Sequence, residues 1–373
     1  MKQYRSICIL FTLLIVVLVP LQPIVAQAPD QPEETDARRQ VFLPFVTGPN
    51  ASQSETGSLP YPPSNLIKEF KWDFSNSIRQ APGSDLWPST WGADGNIYTS
   101  WGDGGGFGGT DQDGRVSLGF ARIDGSPQDF KGVNIWGGKN ATSPAKFEGK
   151  SAGIVSINSI LYAWIGTDTG RKLGWSTDKG KTWERSSWEF SKETFVPFTI
   201  LNFGQDYSGA RDGYVYSYGH EWGGSKNAYL IRVPKEKIKE RGSYEFFAGM
   251  KSSSGPRWTT DINGRKPVFS DSTGKDTNMT PTVVYNPGLQ RYLLTMTRGG
   301  PQKLGIFDAS EPWGPWTTAA YYDNWGGFKG AEGLIYSFPT KWMSGDGKTM
   351  WMIFSGADSL DAFNLIKATV KLR

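Results

Sequence analysis

The chain has 373 residues with a single cysteine, a single histidine and a formal charge of +4. One histidine excludes a multi-histidine zinc centre, and one cysteine excludes an intrachain disulfide framework. With no basic run interleaved with aromatics, nucleic acid is a poor partner.

The first 28 residues read as a secretory signal. Lys2 and Arg5 form a basic start, Ile7 to Pro20 is almost wholly apolar, and Ala26-Gln27-Ala28 is a small-x-small cleavage site. Pro20 and Pro23 break the apolar span, so no membrane anchor is expected after cleavage. Cleavage removes Cys8 and takes the charge from +4 to +2 through loss of Lys2 and Arg5. A secreted or envelope-associated chain without disulfides follows, bacterial in style. Residues 29–65, rich in Pro, Gln, Ser and acids, read as a disordered tether interrupted by the apolar run 41–46 (VFLPFV). One folded domain over 66–373 remains.

Five segments of that domain repeat one pattern, a turn followed by a strand ending at a rim. They are GADGNIYTSWGD (92–103), INSILYAWIGT (157–167), RDGYVYSYGHE (211–221), PGLQRYLLTMTR (287–298) and GDGKTMWMIFSG (345–356). A third strand follows each, from Leu118, Leu173, Leu230, Leu304 and Leu365, with fourth strands at 130–136, 182–190, 243–248 and 316–322. The fifth unit lacks an outer strand, and Leu66 to Trp72 (LIKEFKW) is available to supply it. The fold expected is all-β, a five-bladed β-propeller closed by an N-terminal strand, with a β-sandwich as runner-up. Only 234–241 (PKEKIKER) looks helical.

In a propeller, the start of the first strand and the end of the second meet at one rim. Aligning the openings on Pro88, Pro197, Pro281 and Pro339, with Ala152 standing in, gives a column of Asp85, Gly149, Thr194, Asn278 and Tyr336. The second strands end in Asp103, Thr167, Glu221, Arg298 and Gly356. Asp85 and Asp103 flank one hairpin. A three-residue loop centred on Asp94 puts them opposite each other, with Cβ atoms about 4.5–5.5 Å apart. A two-residue Asp94-Gly95 turn aims them at opposite faces, and a bulge near Gly102 to Gly106 alters the register again.

Facing carboxyls disfavour ionising one another, so one stays protonated, the arrangement glycoside hydrolysis uses. Separations of about 5–5.5 Å suit retention of configuration and about 6.5–9.5 Å inversion. Glu221 is a third carboxylate able to act as the acid; the alternative for each Asp is a turn cap. Substrate contacts are expected from Trp87, Trp101, His220, Trp222, Asn278 and Arg298. Trp101 and Trp222 are the best placed of the tryptophans, set against the usual fate of packing between blades. Arg298 either binds an anionic group on the glycan or neutralises the acidic rim. No cofactor is required, and no protein metal site is read, although the central channel leaves room for a structural cation.

Ser176 to Trp183 reads S-x-D-x-G-x-T-W and resembles the Asp-box of sialidase-like propellers, which implies a turn between third and fourth strands. It does not imply sialidase activity, because the rim offers one arginine, Arg298, where sialidases use three. The phrases SDLWPSTWGADGNIYTSWGDGGGFGG, STDKGKTW, DGYVYSYG, NMTPTVVYNPGLQRYLLT and DASEPWGPWT together resemble a bacterial family of five-bladed propellers that includes endo-D-arabinanases. Arabinanase and xylosidase propellers are similar more distantly. The resemblance spans about residues 80 to 360 and implies that paired aspartates of the first blade, Asp85 and Asp103, do the chemistry. The second aspartate stands in WGDGGGF, where relatives often carry Gly-Asp-Thr.

The leading expectation is a secreted, monomeric glycoside hydrolase acting on a polysaccharide or cell-wall glycan, arabinan-like by resemblance. The alternatives are a non-catalytic glycan-binding or cell-surface propeller, and a polysaccharide lyase using His220, Tyr218 and Arg298.

Overall fold

The computed structural model describes residues 52–53, 59–222, 226–251, 255–271, 280–298, 303–326, 334–356 and 361–373. The expected signal (1–28) and the apolar run 41–46 lie outside these residues, as does Asn278. Among the described residues no helix is long and apolar enough to cross a membrane.

Five antiparallel sheets form a five-bladed β-propeller. Blade one runs Asp85–Trp91, Ile97–Gly102, Gly119–Ser126 and Asp129–Trp136. Blade two has Ser151–Ile157, Ile160–Gly166 and Gly170–Ser176, with two short outer pieces, Glu184–Arg185 and Phe190–Ser191. Blade three runs Val196–Ile200, Tyr214–His220, Asn227–Pro234, Glu245–Lys251 and Gly255–Thr259, while Pro267–Ser270 also pairs with its third strand. Blade four has Thr282–Asn286, Arg291–Thr297, Leu304–Ala309 and Thr317–Asn324, with Ser52–Gln53 at its edge.

Blade five carries Leu334–Ser337, Thr349–Ser355 and Phe363–Leu372, and its outer strand is Ile67–Trp72. That strand pairs Ile67 with Leu372 and Trp72 with Ala368, so the first and last strands of the ring share one sheet and protect its edge. Residues 59–65, assigned to the tether on composition, lie on the ring: Pro63 bridges to Thr318, and the Tyr61 hydroxyl accepts from the Ser270 amide at 2.8 Å. Segment 234–241 is not an α-helix. It forms 3-10 turns at Lys235–Lys237 and Arg241–Ser243, because a short run with one buried apolar side chain, Ile238, does not overcome the cost of nucleating a helix.

Blades are tied pairwise. The Ser100 hydroxyl reaches the Ser151 carbonyl, Trp164 Nε1 donates to Ser217 Oγ (3.0 Å), and the Tyr218 hydroxyl donates to the Pro312 carbonyl (2.6 Å). The Thr295 hydroxyl donates to the Tyr336 carbonyl, and the Leu86 amide to Ser355 Oγ (3.2 Å), which completes the circuit. Ring stacking fills the wedges between blades, as where Trp183 lies 3.8 Å from Phe120. Trp183 closes the turn that starts at Ser176, in which Asp178 accepts from the Thr182 amide (2.9 Å) and hydroxyl (2.6 Å).

Candidate functional site

The hairpin that carries the two first-blade aspartates has a register of its own. Near the turn, Trp91 faces Ile97, Thr90 faces Tyr98 and Ser89 faces Thr99, the pairing of a loop centred on Asp94. Between Leu86 and Ser89 the register slips, so Asp85 faces Gly102 rather than Asp103. The slip lies in the first strand, not in the glycine run after Asp103. Leu86 and Trp87 take positive φ values of 77° and 60° there, a conformation that bulky side chains adopt only when surrounding structure enforces it.

The same irregularity recurs between Ser151 and Gly153, between Pro197 and Thr199, and between Leu334 and Ser337. Leu86, Ala152, Phe198 and Ile335, at or beside these bulges, form an apolar floor over the axis. Above it opens a cavity of about 970 Å³, walled by Asp85, Glu148, Lys150, Arg171 and Trp222 among others. That size accommodates a short stretch of glycan.

Asp85 is partly buried on that wall, with Oδ1 sealed from solvent and without a hydrogen-bond partner. Burial pushes its carboxyl up to about 6, reinforced by the charges of Asp103 and Asp361 and opposed by Lys150. Asp103, at φ 53°, accepts ion pairs from Lys150 Nζ (2.6 Å) and Arg115 Nη2 (3.3 Å), and does not itself line the cavity. Asp361 is a third carboxyl in this group, raised by burial and by Asp103. Gly102 makes the cluster compact. A Cβ there would lie 2.8 Å from Lys150 Nζ and closer still to Asp85 Oδ1, so the lack of a side chain is what lets ammonium and carboxyl converge.

The other expected residues scatter. Trp222 lines the cavity and is 54% exposed, the one aromatic of the set that offers a free face. Trp87 and Trp101 require correction: both are 0% exposed and stacked on each other at 5.5 Å, so they pack the blade and present nothing to a sugar. Glu221 turns from the cavity to Arg265 (2.8 Å) and the Tyr229 hydroxyl (3.0 Å). Arg298 is buried, paired with Asp323 (3.1 Å) and bonded to the Tyr322 carbonyl (2.7 Å), and does not line the cavity. His220 is fully buried. Its Nδ1 lies 2.7 Å from the Glu221 carbonyl, its ring stacks on Phe198, and burial holds its pKa down to about 4.

Lys150, Arg171, Glu148 and Asp168 also line the cavity and escaped the sequence reading. Lys150 follows directly on Gly149 of the opening column, and Arg171 lies near the start of a third strand at the same rim. Among the described residues no group of three or more His, Cys, Asp or Glu side chains gathers to hold a metal ion.

Fold and cavity together define a five-bladed propeller with a funnel that has an apolar floor and charged groups on its wall. The model of the DUF4185 family, a domain of unknown function, matches residues 162–350, and the chain belongs to that family. No curated protein matches the sequence. Among solved structures, the ring is similar to the GH43_1 enzyme from Xanthomonas citri, at 11% identity over 79% of this chain and 92% of that one, with a TM-score of 0.49. It is also similar to the PQQ-bound aldose sugar dehydrogenase from Streptomyces coelicolor (12%, 83% and 100%, TM-score 0.46). A family 117 glycoside hydrolase from Zobellia galactanivorans is a third (11%, 82% and 91%, TM-score 0.42). None of them carries a site residue over to this chain.

Proposed function

We propose that this protein is a secreted glycoside hydrolase in which Asp85 is the proton donor and Asp103 the ionised carboxylate. The observation that carries the reading is a protonatable carboxyl on the wall of a glycan-sized funnel. Burial pushes the Asp85 carboxyl up to about 6, and it stands beside a second aspartate that is ion-paired with Lys150 and Arg115. An acid of that pKa holds its proton at mildly acidic pH and can pass it to a glycosidic oxygen as the bond breaks. The neighbouring Asp103 carboxylate answers the positive charge that develops on the sugar ring, and water adds to the anomeric carbon to complete the hydrolysis. Trp222 supplies an apolar face for a pyranose or furanose ring. Arabinan as the substrate is an extension of the family resemblance alone.

The test is release of reducing ends from a panel of neutral and acidic polysaccharides, arabinan included. Asp85→Asn and Asp103→Asn should each abolish it, and full activity in either variant removes that residue from the mechanism. A second reading, a glycan-binding propeller without turnover, is favoured by one observation: Asp103 is doubly ion-paired and set back from the cavity. Binding without hydrolysis across the panel selects it.

A further inference from the structure

Arg171 is the second residue of the third strand of blade two and is withdrawn into the cavity wall, 5% exposed. Its guanidinium lies over the Phe198 ring, 4.0 Å from the ring centroid, and Phe198 stacks in turn on His220 at 4.2 Å. Nη1 donates to the Lys150 carbonyl at 3.1 Å, and Nε is buried with no partner. Among the described residues no carboxylate pairs with it. Arg232, Arg265 and Arg298, also drawn in from solvent, each have one: Glu245, Glu221 and Asp323. A guanidinium kept out of water without an anion is costly, and such positions persist where an anion arrives from outside.

The surroundings leave that position open to a ligand. Lys150 is engaged by Asp103, and the stacked neighbour His220 contributes no negative charge. Three carboxyls share the cavity: Glu148 and Asp168 are solvent-exposed and screened, so they repel an incoming anion weakly, and burial holds Asp85 toward its neutral form. Arg185, stacked on Phe147 at 4.0 Å, adds a second cation to the wall. Burial lowers the Arg171 pKa only to about 10, so the group remains charged at neutral pH.

We propose that the funnel contains an anion-reading subsite in which Arg171 receives a carboxylate or sulfate group borne by the glycan. The flat guanidinium fork matches either oxyanion through paired N–H donors, and its seat on Phe198 fixes the plane of the fork. The substrate class is therefore an acidic glycan. This rests on reading the cavity as a glycan site, though not on turnover there.

The experiment is titration calorimetry of the full chain carrying Asp85→Asn, so that nothing is consumed. The probes are an oligogalacturonate and its methyl ester, and a sulfated galactan oligosaccharide and its desulfated form. One charged probe should bind about tenfold or more tighter than its uncharged twin, and which pair responds identifies the anion. Added Arg171→Gln should bring the pair within about twofold, whereas Arg171→Lys, which keeps the charge and loses the fork, should fall between. The lysine variant and the salt dependence of the parent decide the matter if the glutamine variant does not fold. Equal affinity for charged and uncharged twins, a preference that survives Arg171→Gln, or no binding to any of the four overturns the proposal. A chain that prefers the acid yet hydrolyses nothing overturns the hydrolase and leaves the subsite standing.

Discussion

The Lys150 ammonium lies 2.6 Å from Asp103 and shares the space above Gly102 with the Asp85 carboxyl. One cation thus pairs with one carboxylate while pulling the other's pKa down against the effect of burial. Lys150→Met removes both influences. The Asp85 pKa should rise above 6, because the cation that favoured its ionised form is gone. In a pH–rate profile the alkaline limb, where the acid loses its proton, should move to higher pH. The maximum rate should fall about tenfold as Asp103 keeps only Arg115. An unshifted limb would separate Asp85 from the proton transfer.

Asp85 also links stability to pH. Its folded pKa, about 6, lies above the unfolded value near 3.8, so the folded state binds the proton more tightly. The contribution is full below the unfolded pKa and is lost as pH rises through 6. Asp85→Asn should therefore be more stable than the parent at pH 7, by at most about 3 kcal/mol, with the gap closing toward pH 4. Thermal denaturation at several pH values measures this.

Gly102→Ala should damage the site more than the fold. The new Cβ meets Asp85 and Lys150 side-chain ends, which must separate. Activity should drop about 10–100-fold, since displacements of this order misplace reacting groups. The crowding should cost about 1–3 kcal/mol in a denaturant titration. An active Gly102→Ala protein would show that the two groups need not converge.

Three tryptophans make a contrast. Trp222→Ala should leave stability within about 0.5 kcal/mol while weakening glycan binding, because the ring is exposed. Trp87→Ala or Trp101→Ala should destabilise by about 3–5 kcal/mol, because both rings are wholly buried. Urea unfolding together with a binding isotherm distinguishes the two kinds of effect.

The ring was legible because each blade writes the same turn-and-strand phrase, and because Ile67–Trp72 matches the strand that blade five lacks. The site was legible only in part. Aligning blades on proline found Asp85, but the bulges fall at Ala152, Phe198 and Ile335, so Pro197 and Pro339 are not the equivalents of Pro88. A bulge is a tertiary feature with no fixed residue signature, and it shifted Asp103 by one place against Asp85. Arg171 carries no such signal, because it lies near the start of a third strand, outside the openings and second-strand ends that the repeat aligns. Glu221 and Arg298 failed as cavity residues for another reason. Their partners, Arg265 and Asp323, come from distant segments that spacing does not reveal.

The closing strand sets an order of assembly. Within blade one, the first and second strands and the third and fourth are joined by short turns and can pair from local encounters. Blade five cannot, for its edge joins the two ends of the ring, and Arg373 reaches the Ser64 carbonyl across 309 positions. Loop closure over that distance is entropically the most demanding step, so the ring should latch last. Until it does, the Leu86 amide and Ser355 hydroxyl that join blades one and five remain apart, and one wall of the funnel is unfinished. The funnel is therefore a late product of folding, assembled in the same event that joins the two ends of the ring.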